Sequence, residues 1–162
     1  RTTDFVFLHS CFNIYQTAIR LEGQGVADES IARVYENGGN LGKTLNIVES
    51  ETSGVQILWL EEGKLGSITA NGKDVGGYGW EHIKNNHMYY GKTSEHFDTV
   101  LGSNYVTEAQ VKQLIYDGAK YGTQKTDEYG RLYKLYDVPG TNRQIRIGLS
   151  DNGNIISAYP VT

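Results

Sequence analysis

Three strand-like runs, Arg131 to Val138, Arg143 to Leu149 and Asn154 to Val161, are separated only by Pro139-Gly140-Thr141-Asn142 and Asp151-Asn152-Gly153-Asn154. Connections that short leave no room for a crossover helix, so successive runs must pair antiparallel. Immediately upstream the period is helical. Thr107-Glu108-Ala109-Gln110 is a capping box, in which the Thr hydroxyl and the Gln side chain each satisfy a main-chain N–H of the other, and Val106 is placed to staple onto Val111. The apolar face continues through Leu114 and Ile115 and ends near Gly118 or Gly122. A capped helix feeding a meander predicts an α+β fold, with N-terminal helices followed by a twisted antiparallel sheet packed against helices.

Upstream of that unit, Phe5, Leu8, Phe12, Tyr15 and Ile19 recur at helical steps, with Asp4 placed as N-cap. A second helix is expected from Ser30 to Glu36, stopping at Gly38-Gly39, while Thr44 to Glu49 has no decisive period. Val55 to Leu60 and Leu65 to Thr69 flank Glu61-Glu62-Gly63-Lys64 as the arms of a hairpin. Gly72, Gly76, Gly77 and Gly79 then punctuate the approach to Trp80 and suggest a boundary or hinge, dividing residues 1–75 from 76–162.

The chain has 162 residues and a hydrophobic fraction of 38% with 12 tyrosines, enough to bury a core and far from a disordered composition. His9, Ser10, Asn13, Gln16 and Arg20 interrupt the most apolar stretch, so it is not expected to anchor the chain in a membrane. Cys11, the single cysteine, has no disulfide partner and reads as a small buried apolar residue. The chain opens on Arg1 with no signal-peptide pattern and reads as an excised or processed fragment. The net charge of −4 weighs against a nucleic-acid partner. However, residues 1 to 77 carry 6 basic and 10 acidic groups whereas 78 to 162 carry 9 of each, so any basic surface must be local.

The chemistry concentrates where three of the four histidines, His82, His87 and His96, fall within fifteen residues beside Lys84, Lys92, Tyr89 and Tyr90. Cleavage of RNA through its 2′-OH needs two proton transfers near neutral pH, which imidazoles perform, and a donor or cation to stabilise the phosphate. Surface or hydrogen-bonded core histidines are the plainer reading of any one of them. Zinc is disfavoured because His82 and His87 are not spaced as an i, i+4 pair. On one continuous helix they would point about 140° apart, so sharing a site requires the helix to end between them, for which Asn85-Asn86 is the place.

The last hairpin adds a second argument. A turn at Asp151 to Asn154 with Ser150 opposite Ile155 sets Gly148 against Ser157 and Arg146 against Tyr159 on one face. Ile145, Ile147, Leu149, Ile156 and Ala158 share the other, expected to be buried. A cation beside a hydroxyl and a phenol can hold a phosphate and stack a base, although a solvated sheet face is the alternative.

The segments Gly77-Tyr-Gly-Trp-Glu-His-Ile-Lys-Asn-Asn-His87 and Ile145-Arg-Ile-Gly-Leu-Ser-Asp-Asn-Gly-Asn-Ile-Ile-Ser-Ala-Tyr-Pro160, joined by the Thr-capped helix, resemble the barnase, EndoU, colicin and RelE-like ribonuclease superfamily. The likeness is greatest to toxin domains of contact-dependent growth inhibition and related polymorphic toxins, which carry His-Ile-x-x-x-His on a helix and a last strand reading Ile-Thr-Ala-Tyr-Pro. It covers about residues 76 to 162; residues 1–75 would be a module for entering the target cell or an added layer of the toxin fold. The resemblance implies metal-independent cleavage of RNA, often transfer RNA, with no cofactor. It also implies delivery from the producing cell into the target-cell cytoplasm, and a cognate immunity protein. An activating protein of the target cell is left open as a further partner.

The family's histidines map onto His82 and His87, and its hydroxyl and tyrosine onto Ser157 and Tyr159. Many members have Arg where this chain has Asn86, so Lys84, Lys92 or Arg146 would have to supply the charge. The expectation is therefore a ribonuclease with His82 and His87 as acid and base in either order. Ser157 and Tyr159 would position the substrate; Arg146 and Lys92 would bind it, with His96 in reserve. A noncatalytic RNA- or protein-binding module is the alternative, for which Asn86 is the best support, and a metal-dependent nuclease or protease is a weaker one.

Overall fold

The computed structural model describes residues 2–89 and 95–162, those up to residue 10 by backbone alone. The chain is α+β. Helices α1 (Thr2–Gly23) and α2 (Asp28–Glu36) lead through a 3₁₀ turn at Leu41–Lys43 into an antiparallel pair, β1 (Thr44–Glu49) with β2 (Ile57–Glu61). A two-residue ladder follows, β3 (Ser67–Ile68) with β4 (Asp74–Val75). Then come α3 (Gly79–Lys84), a π-helical turn at Asn85–Tyr89, α4 (Phe97–Leu101) and α5 (Glu108–Tyr121). The chain finishes as a four-stranded meander of β5 (Thr123–Thr126), β6 (Leu132–Asp137), β7 (Gln144–Leu149) and β8 (Ile155–Pro160). Among the described residues no helix is long and apolar enough to cross a membrane.

The capping box forms as its sequence dictates. Gln110 N–H donates to the Thr107 hydroxyl at 3.2 Å, Thr107 N–H donates to Gln110 Oε1 at 2.9 Å, and the helix stops at Gly122. Val111, Leu114, Ile115 and Ala119 then pack onto Ile145, Ile147 and Ala158, with Trp80, Ile83 and Phe97 closing the same core. Leu58 and Leu60 belong to it too, whereas Trp59 between them faces a second core with Leu21, Val34, Leu41 and Ile47.

That two-sided burial overturns the expected hairpin of Val55–Leu60 with Leu65–Thr69. A run buried on both faces needs a partner strand that also has a buried face, which Thr44–Glu49 provides through Leu45, Ile47 and Val48. Ser67 and Ile68 are exposed and pair instead with Val75 and Asp74.

α1 also differs from expectation. It begins at Thr2, so Asp4 lies in its first turn rather than at the N-cap. Phe12, Tyr15 and Ile19 are more than half exposed, and Ile14, Thr17, Ala18 and Leu21 make the contact. Arg20 sets that rotation: its guanidinium donates to the carbonyls of Thr44 and Leu45, which turns the Thr17–Leu21 side toward β1. Cys11 is exposed for the same reason, not buried. The side chains of Phe5 and Leu8 lie outside the described residues.

In the last hairpin Arg146 opposes Tyr159 and Gly148 opposes Ser157, as the turn register requires. A bulge then sets Leu149 opposite Ile155, so Ile155 is fully buried and Ile156, expected on the core face, is 37% exposed. The turn between the strands is pinned onto β2. Gly153 has φ +105°, and a Cβ there would lie 2.3 Å from the Ile57 carbonyl oxygen; its own carbonyl accepts the Trp59 N–H at 3.1 Å. The core face of the sheet holds one cation, the fully buried Lys134 opposite Ile147, whose ammonium donates to the hydroxyls of Ser50 (2.5 Å) and Thr52 (3.0 Å).

Candidate active site

Asp74 is the buried centre of the site. β4 delivers it between α3 and the Gly66 turn, where Gly66 N–H donates to its Oδ1 at 2.6 Å. A side chain on Gly77 could not coexist with it, because a Cβ there would lie 2.1 Å from Asp74 Oδ2. The glycine-rich approach to Trp80 is thus where backbone closes around a carboxylate. The main chain of Asp74 is tied to Asn86 in both directions, Asp74 N–H to Asn86 Oδ1 at 2.7 Å and Asn86 Nδ2 to the Asp74 carbonyl at 2.9 Å. Asn86, 3% exposed, stands where the resembled family often has Arg, and its work here is to fix β4.

α3 gives way to the π-helical turn at Asn85, between the two histidines. A turn that closes over five residues brings His87 round to the side of His82, and the ring centroids are 6.4 Å apart. His82 Nδ1 faces Asp74 Oδ2 at 2.6 Å, with the Asp74 side chain fully buried and His82 15% exposed. His87 Nδ1 lies 3.1 Å from the Glu95 carbonyl oxygen. A carbonyl oxygen only accepts, so neutral His87 carries its proton on Nδ1 and presents a lone pair at Nε2. Burial pushes the His87 imidazole down to about 4, against the raising effect of the Glu95 carbonyl. The charges of His82, His96 and Lys73 push it further the same way.

β8 supplies the opposite wall. The Tyr159 ring stacks on His87 with centroids 5.4 Å apart at 27°, and Phe97 meets the same imidazole edge-on at 6.5 Å. His82, His87, Ser157 and Tyr159 therefore line one cavity of about 400 Å³, together with Lys73, Asp74 and Asn86. Another hollow of about 500 Å³, between α1 and Leu41–Lys43, is lined by Asn13, Gln16, Thr17, Asn40 and Lys43 and brings no acid–base pair together.

Arg146 does not line the histidine cavity. It lies over Tyr133 in the next groove along the sheet, 3.6 Å from Asp127. His96 immediately precedes α4, outside the cavity walls, and acts on His87 through its charge. Lys92 lies outside the described residues. Among the described residues no three His, Cys, Asp or Glu side chains converge as a metal site.

Sequence reasoning missed Asp74 and Lys73, and read Asn86 as a helix end and a lost charge rather than as the side chain that fixes the Asp74 main chain. Asp74 and His82 are eight residues apart in different elements, so no helical or strand period links them. A lone carboxylate among close-set glycines was the only signal. Comparison with protein-family models, with curated proteins and with solved structures returns no match, so the site stands on its own geometry.

Proposed function

We propose that the chain is a ribonuclease cutting RNA by attack of the ribose 2′-OH on the adjacent phosphate. The observation that carries this reading is the pair of imidazoles in one cavity with different partners, Asp74 on His82 and the Glu95 carbonyl on His87. His87 Nε2 takes the 2′-OH proton and the 2′ oxygen bonds to phosphorus. The bond to the 5′ oxygen breaks, and that oxygen leaves with the proton from Nε2 of His82, the ring nitrogen not taken by Asp74. The products are a 2′,3′-cyclic phosphate and a 5′-hydroxyl. Asp74 is a positioning residue that holds the His82 ring. Lys73, on the cavity wall, and the Ser157 hydroxyl face the charge that grows on the phosphate. No step calls on a metal or cofactor.

The resemblance to polymorphic-toxin ribonucleases supplies the rest of the reading: a barnase- or EndoU-like catalytic unit over residues 76–162, to which the preceding segment adds Lys73 and Asp74, transfer RNA as substrate and action in a target cell's cytoplasm. A cognate immunity protein is its partner, with an activating protein of the target cell as a further one. The noncatalytic alternative drew its support from Asn86, and that support weakens because Asn86 is engaged by the Asp74 main chain while Lys73 brings a cation to the cavity.

The test is to incubate the chain with total bacterial RNA in excess chelator, beside the His82→Ala/His87→Ala variant, and to analyse the fragment ends. Discrete fragments ending in cyclic phosphate from the native chain alone are expected. Intact RNA from the native chain, even with cell extract added, would overturn the reading.

A further inference from the structure

The open face of the four-stranded sheet continues beyond the histidine cavity. Two cross-strand rows run over it in register. One holds Lys125, Tyr133, Gly148 and Ser157, and the other Thr123, Leu135, Arg146 and Tyr159. Ser157 and Tyr159, at the ends of these rows, also line the histidine cavity, and a groove of about 560 Å³ opens from them across β7 and β6.

Its walls carry two arginine–tyrosine stacks. The Arg146 guanidinium lies 3.8 Å from the Tyr133 ring centre, and that of Arg131 lies 5.0 Å from Tyr129. Asp127 reaches Arg131 at 2.8 Å and Arg146 at 3.6 Å, so one carboxylate ties both cations to the groove, Arg146 half-buried and Arg131 largely exposed at its rim. The Arg131 N–H, with that guanidinium and the Tyr129 N–H, keeps the Asp127 carboxyl below the usual carboxylate range, despite an opposing push from desolvation.

The floor between Tyr133 and Ser157 is Gly148. Nothing in its own packing requires glycine: its φ is not positive, and a Cβ would meet Ile156 Cγ1 at 3.6 Å and Ser157 Cβ at 3.8 Å, ordinary contacts. The missing side chain leaves a flat strip of sheet between an aromatic ring and a hydroxyl. The β8 bulge sets Ile156 on the same groove.

We propose that this groove is a single-stranded RNA subsite, holding the nucleotides next to the scissile phosphate. One base lies on the Gly148 strip against Tyr133, and backbone phosphate meets Arg131 and Arg146. The proposal rests on the ribonuclease reading for the direction of the strand into the histidine cavity. Its physical basis is independent: planar guanidinium and phenol surfaces stack unpaired bases regardless of sequence, and fixed arginines bind phosphate. Single-stranded RNA is favoured over duplex because a strip between two side-chain walls admits a splayed base, not a base pair.

The test measures binding of a fully 2′-O-methylated RNA oligonucleotide, which cannot be cut, by fluorescence anisotropy. The native chain is compared with Gly148→Val, which fills the strip with a side chain that strands favour, and with Tyr133→Ala, which removes the stack. Both variants are checked for a native melting transition. The expected result is affinity weakened about tenfold or more in each, the loss of one stacked base, with duplex RNA binding more weakly than single strand. Unchanged affinity in both folded variants would overturn the groove. The two proposals fail separately. A native chain that cuts RNA, with Gly148→Val cutting and binding as well, removes the groove alone. A native chain that binds the oligonucleotide through Gly148 and Tyr133 yet cuts nothing removes the ribonuclease alone.

Discussion

Nδ1 of His82 sits 2.6 Å from Oδ2 of Asp74, a carboxylate with no solvent exposure that is held from the other side by the Gly66 N–H. The ring orientation of the proposed proton donor is therefore set by a residue that never touches substrate. Asp74→Asn should lower kcat by about a hundredfold or more while KM changes little, as expected when an imidazole is left in the wrong tautomer. Its pH–rate profile should also move. A parallel loss of kcat and folded protein, with an unmoved profile, would reduce Asp74 to a structural role.

The folded His87 titrates at about 4, against 6.5 for an ordinary histidine. Between those values the unfolded chain holds the proton and the folded chain does not, so unfolding free energy must fall as pH drops from about 6.5 toward 4. The loss at His87 should reach about 3 kcal/mol. Urea titrations at stepped pH should show this slope in the native chain and a shallower one in His87→Phe, which can still pack on Tyr159. Equal slopes would mean that His87 is not buried neutral.

Gly153→Ala should destabilise the fold by about 1–3 kcal/mol, because it forces a side chain into a positive-φ backbone against the Ile57 carbonyl. The same substitution at Gly130, also at positive φ but with nothing within 4 Å, should cost less. Denaturant midpoints for the pair separate the steric contact from the backbone strain they share.

Lys134 is buried with its ammonium donating to the Ser50 and Thr52 hydroxyls, and desolvation lowers that ammonium from the ordinary lysine value. Ser50→Ala should cost about 1–3 kcal/mol by stripping an acceptor from a buried cation. Lys134→Met should cost much less or stabilise, since it removes the cation itself. In the Lys134→Met background Ser50→Ala should become nearly silent, a coupling read from a double-mutant cycle.

The elements whose instructions are local were legible in the chain. Thr107 and Gln110 carry their own hydrogen bonds, and the turns at Pro139 to Asn142 and Asp151 to Asn154 admit only antiparallel pairing, so α5 and the order of β6 to β8 could be written down, with the β7–β8 register right at Arg146–Tyr159 and Gly148–Ser157 but not at Ile155, where the bulge intervenes. Where burial on a second face decides, local pattern misled. Trp59 between Leu58 and Leu60 looks the same whether its partner strand precedes or follows it, and α1 has apolar residues on more than one side.

The site divides along the same line. Clustered imidazoles and a polar hairpin face, both visible in one dimension, brought forward His82, His87, His96, Arg146, Ser157 and Tyr159, and the family resemblance singled out His82, His87, Ser157 and Tyr159 among them. Which atoms meet was decided in three dimensions. The π-turn at Asn85 swings His87 toward His82, the bulge at Ile156 ends the polar face, and Gly77 leaves space for the Asp74 carboxylate. Sequence determined the local backbone and the chemistry available, since capping, turns and pleat period act over a few residues. Only the tertiary structure brought Asp74 to His82 and set Tyr159 over His87, because those contacts depend on how separately formed elements share buried space.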